Sequence, residues 1–297
     1  MTHLVRIAAA AYPFEWFDDF DAYRAKITEW VTEAADCDLL VFPEYGAMEL
    51  ASLGGRAVAS DLEASLHEVA RHEPARDALH AELAARHGVH ILAASGPHFE
   101  GQRPVNRAVL YGPQGRIGHQ DKQIMTRFER EDWDVIPGAD GLTVFDTPIG
   151  KLGVVICYDS EFPLLSRALA ESGAEILLAP SCTEALAGFT RVRVGSMARA
   201  LENQCAVVHA PLVGKAEWCA GCEVQTGRAS IYGPPDRGWP ETGILAEGGM
   251  AEPGWVLAQV SRAQIALSRA DGGVMPFAHW PEQHQRLAAG TPAQIKS

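Results

Sequence analysis

The sequence has 297 residues and a formal net charge of −13, with 47% hydrophobic and 21% charged residues. This composition is typical of a soluble globular enzyme, and the negative charge argues against nucleic-acid binding because no basic stripe offsets it. No apolar run reaches membrane-spanning length or resembles a signal-peptide core, and six cysteines in a chain of this size do not suggest a secreted disulfide framework. We therefore expect a cytoplasmic protein with reduced thiols and no nucleic-acid or membrane partner.

Hydrophobic periodicity predicts alternating strands and helices along the first half of the chain. The predicted strands are 5–10, 39–42 and 89–94, the predicted helices are 21–35 and 75–87, and segments 105–111 and 116–123 form a predicted hairpin. The turn of that hairpin is the Gly-Pro-Gln-Gly segment 112–115.

The second half of the chain shows the same alternation of predicted strands and helices. The predicted strands are 152–156, 175–179, 205–210, 229–232 and 255–260, and the predicted helices are 162–172 and 192–203. Such alternation predicts helices covering both faces of a mixed sheet, in one domain because no linker divides the chain. The tail 271–297 has little periodicity and cannot form a core of its own, so we expect it to pack on a partner subunit or to fray.

Three polar residues follow predicted strands: Glu44, Lys122 and Cys157. In α/β proteins, sites collect at the ends of strands. Taken singly, each residue has a simpler interpretation, since a glutamate caps turns, a lysine is normally solvated and a free cysteine is a common core residue. We find that only the combination indicates function.

The combination predicts nucleophilic catalysis at a carbonyl-like carbon. Cys157 begins a strand-to-helix turn, where the helix N-terminus and a nearby lysine would favour the thiolate. Glu44 would take the thiol proton and later give it to the departing amine. Lys122, with a backbone N–H after Cys157, would hold the developing oxyanion. No histidine lies near Cys157 in the sequence, so a Cys–His protease arrangement has no support.

Several segments resemble those of the nitrilase superfamily of carbon–nitrogen hydrolases. They are Val-Phe-Pro-Glu-Tyr at 41–45, Gln-Asp-Lys at 120–122, Val-Ile-Cys-Tyr-Asp at 155–159, Leu-Ala-Pro-Ser at 178–181, Arg-Ala-Leu-Glu-Asn at 199–203 and Gly-Arg-Ala-Ser-Ile at 227–231. The three catalytic segments occur in the family's order, and together they are a specific signature.

The resemblance implies a four-layer α-β-β-α sandwich over residues 1–270, no metal or organic cofactor, and a thioester intermediate. It also implies that Glu44 is the base, Lys122 the oxyanion stabiliser and Cys157 the nucleophile. Relatives commonly pair through helices into homodimers, and their tails often cross to the partner, a role that 271–297 would suit.

Relatives also carry a second glutamate shortly after the lysine, which orients it. Glu129 matches that segment, and Glu131 is the alternative. We further expect Tyr45, Tyr158, Glu161 and Ser181 to contact substrate. Tyr158 replaces a tryptophan of many relatives, which argues against a typical nitrilase. The segment 160–163 is close to a branch in which the hydrolase can be joined to an acetyltransferase domain, which 297 residues are too few to include.

These features predict a hydrolase that cleaves a non-peptide carbon–nitrogen bond of a small amide or carbamoyl compound and releases ammonia or an amine. Nitrile hydrolysis, acyl transfer through the same thioester and a catalytically silent binding homologue are the alternatives. Because Glu161 would repel an acidic substrate, we expect a positively charged or neutral one, unless Glu161 only caps the helix that follows. Cys219 and Cys222 form a C-x-x-C pair without the further ligands of a zinc site, and chance is the favoured explanation of it.

Overall fold

The computed structural model describes residues 4–287, apart from the side chain of Gln285, as two sheets stacked face to face. The strands of this part are β1 (Leu4–Pro13), β2 (Leu39–Val41), β3 (His90–Leu92), β4 (Gly96–Phe99), β5 (Pro104–Gly112), β6 (Gly115–Asp121), β7 (Val144–Thr147), β8 (Gly150–Val154), β9 (Ile176–Ser181), β10 (Ala206–Lys215), β11 (Val224–Gln225), β12 (Ser230–Tyr232), β13 (Ile244–Glu247) and β14 (Gly254–Ser261).

The helices lie outside the sheets or in the connections between strands. They are α1 (Phe20–Glu33), α2 (Arg56–Ala59), α3 (Leu62–Arg71), α4 (Glu73–His87), α5 (Arg127–Glu131), α6 (Pro163–Glu171), α7 (Leu186–Asn203), α8 (Arg262–Asp271), α9 (Pro276–His279) and α10 (Glu282–Leu287), with 3-10 turns at Gly46–Gly54 and Cys157–Glu161. No helix within residues 4–287 is both long enough and apolar enough to cross a bilayer.

The two sheets have matching architecture. In the first sheet the strand order is β14-β1-β2-β3-β5-β6. The short strand β4 pairs with the first half of β5, and β3 pairs with its second half. In the second the order is β13-β12-β10-β9-β8-β7. The sheets are joined where the end of β1 pairs with β10, Tyr12 opposite Leu212 and Pro13 opposite Val213. Parallel strands in the middle of each sheet are bordered by antiparallel ones, which gives the mixed sheets that the alternation predicts.

Three apolar clusters separate the layers. The central cluster lies between the sheets and combines alternating side chains of both, such as Ile7 and Val41 from the first and Val154 and Val208 from the second. One outer cluster packs α1 and α4 on the first sheet, and the other packs α6 and α7 on the second. The predicted four-layer α-β-β-α sandwich is therefore confirmed.

The main departures from the predicted elements lie in helices. α7 begins at Leu186 rather than at 192, because tertiary packing carries the helix through Gly188 and Thr190, two residues of modest helix propensity. The short helices α3 and α5 were not predicted from the pattern, because their apolar faces are only a few residues long.

Helical structure continues across the predicted start of the tail at residue 271. α8 extends across residue 270 to Asp271, and the Phe277 ring lies against the guanidinium groups of Arg167 and Arg269 of its own chain, at 4.5 and 4.4 Å. Arg167 also donates a hydrogen bond to the Phe277 carbonyl at 3.0 Å. This part of the tail thus packs on its own chain, its contact with a partner subunit stays a prediction, and residues 288–297 lie outside the described part.

Candidate active site

Four neighbouring strand ends bring the predicted catalytic residues together. Glu44 follows β2 and Lys122 follows β6, both in the first sheet, while Cys157 follows β8 in the second. Cys182, which directly follows β9, completes the cluster through its backbone. Because the two sheets are stacked, residues from both reach one cavity.

The Lys122 ammonium group lies between two carboxylates. Its Nζ is 2.7 Å from Oε1 of Glu44 and 2.7 Å from Oε2 of Glu129, and all three side chains are buried. Burial alone would lower the Lys122 pKa, but the two carboxylates outweigh it and raise that pKa well above its ordinary value. An ammonium group has three N–H donors, so one remains after these two hydrogen bonds.

Glu44 is held at both carboxylate oxygens. Oε1 accepts from the Asn106 amide at 3.0 Å as well as from Lys122, and Oε2 accepts from the Cys182 backbone N–H at 2.9 Å. Burial raises the pKa of Glu44 to about 7, and the attraction of Lys122 offsets this only in part. A carboxyl group with this pKa can both accept and return a proton near neutral pH.

Glu129, and not Glu131, contacts the lysine. Glu129 caps α5, where its Oε2 accepts from the backbone N–H and the hydroxyl of Thr126, both at 2.8 Å, and its Oε1 accepts from the Tyr45 hydroxyl at 2.8 Å. Burial favours a higher pKa, but Lys122 outweighs burial and lowers the Glu129 pKa. Glu131 is instead paired with Arg127 on the surface.

Cys157 occupies a strained position at the start of its 3-10 turn. Its φ of +49° is in the left-handed region that non-glycine residues rarely adopt, and Tyr45 beside Glu44 has a φ of +53°. The Asp159 carboxylate holds the turn because it accepts from the backbone N–H groups of Ile156, Gln123 and Ile124. Asp159 therefore ties the nucleophile turn to the segment that follows Lys122.

The structure corrects the expected ionisation of the nucleophile. Burial raises the Cys157 pKa well above its ordinary value, and the nearby Glu44 carboxylate raises it further, against the attraction of Lys122. The 3-10 turn Cys157–Glu161 also separates the cysteine from α6, which begins only at Pro163. The helix and the lysine therefore do not lower the Cys157 pKa as we expected, and Cys157 depends on a base to remove its proton, the role predicted for Glu44.

A cavity of about 410 Å³ opens on this cluster. Of the four predicted substrate contacts, Tyr45, Tyr158 and Glu161 line it, whereas Ser181 does not. The Ser181 side chain is fully buried and its hydroxyl is bonded to His209 at 2.8 Å, because it points to the other face of β9 from the cavity. The following residue, Cys182, is the one that reaches the cavity.

One wall of the cavity is aromatic and rests on the Cys219–Cys222 turn. The rings of Tyr45 and Phe128 lie 4.8 and 5.1 Å from that of Trp133. Gly221, with a φ of +78°, approaches Trp133 so closely that a β-carbon there would lie 2.6 Å from the ring. The C-x-x-C pair is buried, and the Cys219 thiol donates to the Met48 carbonyl oxygen at 3.7 Å.

Sequence reasoning missed three contributors to this site. Asn106 donates to Glu44 from near the start of β5, and its one sequence signal was a polar residue inside an apolar run. The Cys182 amide has no sequence signal, because a backbone group does not depend on residue type. Arg191 of α7 lines the cavity beside Glu161, and in the sequence it is only one of several arginines.

The family follows from a sequence comparison. A family model described as carbon-nitrogen hydrolase matches residues 6–270. The chain belongs to the carbon–nitrogen hydrolase family. It is 33% identical over 247 residues to the probable hydrolase YhcX of Bacillus subtilis. This alignment covers 82% of this chain and 47% of that protein. It is 34% identical over 145 residues to the deaminated glutathione amidase of Yersinia enterocolitica, covering 45% of this chain and 51% of that protein.

The chain therefore spans about half the length of these two relatives. Solved carbon–nitrogen hydrolase structures share its fold. Nit3 of Saccharomyces cerevisiae, a nitrilase-superfamily member, superposes with a TM-score of 0.69 at 21% identity, over 90% of this chain and 93% of that one. The amidase of Nesterenkonia sp. AN1 superposes with a TM-score of 0.66 at 22% identity, over 89% and 92%. The predicted family resemblance is thus confirmed.

Proposed function

We propose that this carbon–nitrogen hydrolase cleaves small amides through a thioester on Cys157, with Glu44 as base and acid and Lys122 as oxyanion stabiliser. The observation that carries the proposal is the position of Lys122, whose ammonium is fixed by Glu44 and Glu129 at 2.7 Å each and keeps its third N–H for a substrate oxygen.

The first half of the reaction forms the thioester. The Cys157 thiol donates to the Cys182 carbonyl oxygen at 3.8 Å, and the Glu44 carboxylate accepts from the backbone N–H of the same residue at 2.9 Å. Glu44 removes the thiol proton as the sulfur attacks the amide carbon. The oxyanion accepts from Lys122 and from the Tyr158 backbone N–H, which has no partner within its 3-10 turn. When the tetrahedral adduct collapses, the C–N bond breaks and Glu44 gives its proton to the leaving amine.

The second half releases the acid. Glu44, again ionised, takes a proton from water as its oxygen attacks the thioester carbon. The same donors hold the second oxyanion, the C–S bond breaks, and the proton returns to the Cys157 sulfur. Comparison supports this route: in a mutant of the Nesterenkonia amidase, the acetamide moiety of fluoroacetamide is covalently added at the active-site cysteine.

The test is ammonia release from a panel of paired small amides and nitriles, with Cys157→Ala as the decisive variant. We expect turnover of amides by the wild type and a loss of several orders of magnitude in Cys157→Ala. The melting temperature should change little, because only a sulfur atom is removed. Cys37→Ala, which alters a buried cysteine outside the cavity, is the matched control and should keep full activity.

Covalent trapping separates this route from others. Fluoroacetamide should label Cys157 in the wild type and in Glu44→Gln, as located by peptide mass spectrometry. Labelling at Cys182 in place of Cys157, or full amide turnover by Cys157→Ala, would overturn the assignment. Turnover of nitriles with no turnover of the paired amides would make the protein a nitrilase.

A further inference from the structure

Two oppositely charged side chains line the cavity outside the catalytic cluster. Glu161 ends the nucleophile turn, and Arg191 lies in the second turn of α7. Arg191 Nε is 3.3 Å from Glu161 Oε1, and the side chains are 60% and 21% exposed. Glu161 does not cap α6, which has no side-chain hydrogen bond at its N-cap, so the capping explanation of Glu161 fails.

Most of the hydrogen-bonding capacity of this pair is unused. A guanidinium group has five N–H donors, and Arg191 donates one, from Nε, to Glu161. Within the described part of the chain, no acceptor lies within hydrogen-bonding distance of its two terminal nitrogens. These nitrogens form the fork that binds a carboxylate in bidentate fashion. The second oxygen of Glu161 is likewise without a donor among the described residues.

The helix that carries Arg191 is fixed against the nucleophile turn. Residues four apart share one helix face, and in α7 this face comprises Arg191, Gly195 and Arg199. Gly195 lies so close to the turn that a β-carbon there would be 2.9 Å from the Ser160 carbonyl oxygen, and Arg199 donates to the same oxygen at 3.1 Å. Arg191 and Cys157 are therefore held in a defined relation by rigid elements.

Charge selects among the ligands that this pair could bind. Beside the pair, the cavity is lined by three glutamates and one lysine: Glu44, Glu129, Glu184 and Lys122. This excess of negative charge disfavours a substrate with a net negative charge. It does not disfavour a zwitterion, whose carboxylate and ammonium would each meet an opposite charge at Arg191 and Glu161.

We propose that the preferred substrate is a small amide whose other end carries a carboxylate and an ammonium on one carbon, bound by Arg191 and Glu161 respectively. This inference rests on the proposed amidase function. It replaces the expectation of a simply cationic or neutral substrate, because Arg191 supplies the carboxylate site that the sequence alone did not indicate.

The geometry also limits the length of the substrate. Glu161 is four residues from Cys157 in one 3-10 turn, and a rise of about 2 Å per residue puts their backbones roughly 8 Å apart. After the side chains reach inward, a chain of about two to four carbons spans the sulfur and the charged pair. Side-chain amides of α-amino acids have this length.

The experiment compares four amides of similar length: glutamine, 4-carbamoylbutanoate, 4-aminobutanamide and butanamide. They carry a zwitterionic, an anionic, a cationic and a neutral end. We expect the wild-type kcat/KM to be highest for glutamine. In Arg191→Gln the glutamine-to-butanamide ratio of kcat/KM should fall about tenfold, as for loss of a partly desolvated charge contact. In Glu161→Gln the 4-aminobutanamide-to-butanamide ratio should fall similarly.

Arg193→Gln is the matched control, because Arg193 is two residues along α7, is paired with Glu247 at 3.0 Å and does not line the cavity. Its ratios should equal those of the wild type. If glutamine has no advantage over butanamide in the wild type, or if Arg191→Gln leaves the ratio unchanged, the inference is wrong while amidase activity stands. If none of the four amides, nor any amide of the wider panel, is hydrolysed, the proposed function itself fails.

Discussion

At the scale of single residues, one ammonium and two carboxylates are buried together within hydrogen-bonding distance. Lys122 balances the negative charges of Glu44 and Glu129 at a buried position where water does not solvate them. Removing one member of such a group leaves charge buried without a partner, which is far more costly than replacing the whole group. The residue that we propose as oxyanion stabiliser therefore also balances buried charge in the fold.

We predict that Lys122→Met abolishes amide hydrolysis and lowers the free energy of unfolding by about 3–5 kcal/mol, because Glu44 and Glu129 lose their counter-charge. Urea unfolding followed by tryptophan fluorescence measures the second effect. In Lys122→Met/Glu129→Gln part of the stability should return while activity stays absent. Lys151→Met, which removes a lysine that has no ion pair among the described residues, is the control. An unchanged unfolding midpoint in Lys122→Met would contradict the buried charge balance.

The pH dependence follows from the protonation of Glu44. Its pKa is raised to about 7, so below this pH it is increasingly protonated and cannot accept the thiol proton. We predict that kcat/KM rises with pH through a midpoint near 7 and then levels, since the raised Lys122 pKa keeps that ammonium charged above neutrality. Initial rates from about pH 5 to about pH 9, with circular dichroism to verify folding, measure this profile. A constant kcat/KM across this range would show that Glu44 is not the base.

Much of this residue-scale picture could be predicted from the sequence, because the proposed catalytic side chains lie at strand ends and carry a distinctive combination of chemistries. The thiol state of Cys157 could not, since it depends on burial and on the proximity of Glu44 in space. Asn106 and the Cys182 amide could not either, because their contacts join strands that are distant in sequence.

At the scale of elements, the position of α7 controls the cavity. Its closest approach to the nucleophile turn is at Gly195, where the Ser160 carbonyl leaves no space for a β-carbon. The sequence predicted a helix here but not its first six residues, which include Gly188 and Arg191 of the cavity wall. Periodicity gives the existence of a helix more reliably than its start, which here depends on packing against the turn.

We predict that Gly195→Ala destabilises the protein and lowers activity. In an exposed helix the same change would stabilise by about 1 kcal/mol. Here the β-carbon would push α7 away from Ser160, with an overpacking penalty of about 1–3 kcal/mol. Thermal melting and kcat/KM on the preferred amide measure both effects. Gly101→Ala, at a site with no atom within 4 Å of the new β-carbon, should change neither quantity. A higher melting temperature for Gly195→Ala would show that α7 can shift freely.

At the scale of the whole molecule, the homodimer expected from the family resemblance stays a prediction. Exposed apolar side chains on α6 and α7 offer a surface for it, namely Leu164, Leu186, Val194 and Leu201. We predict a dimer by light scattering in solution and a shift toward monomer in Leu201→Glu, because a charge would be buried at the contact. The surface substitution Leu257→Glu, on β14, is the control. A wild-type monomer at micromolar concentration would contradict the prediction.

The division of the active site between the sheets has a consequence for folding. Glu44 and Lys122 belong to the first sheet, Cys157 and Cys182 to the second, and the described strands pair across the two only at the end of β1. Neither half of the sandwich alone contains both the proposed nucleophile and the proposed base. Contacts between such distant segments form late in folding. The conformational entropy of closing the long loop must be lost before these contacts can stabilise the protein. Recovered activity would therefore mark the final docking of the sheets, and its rate during refolding would report that event more directly than recovered secondary structure.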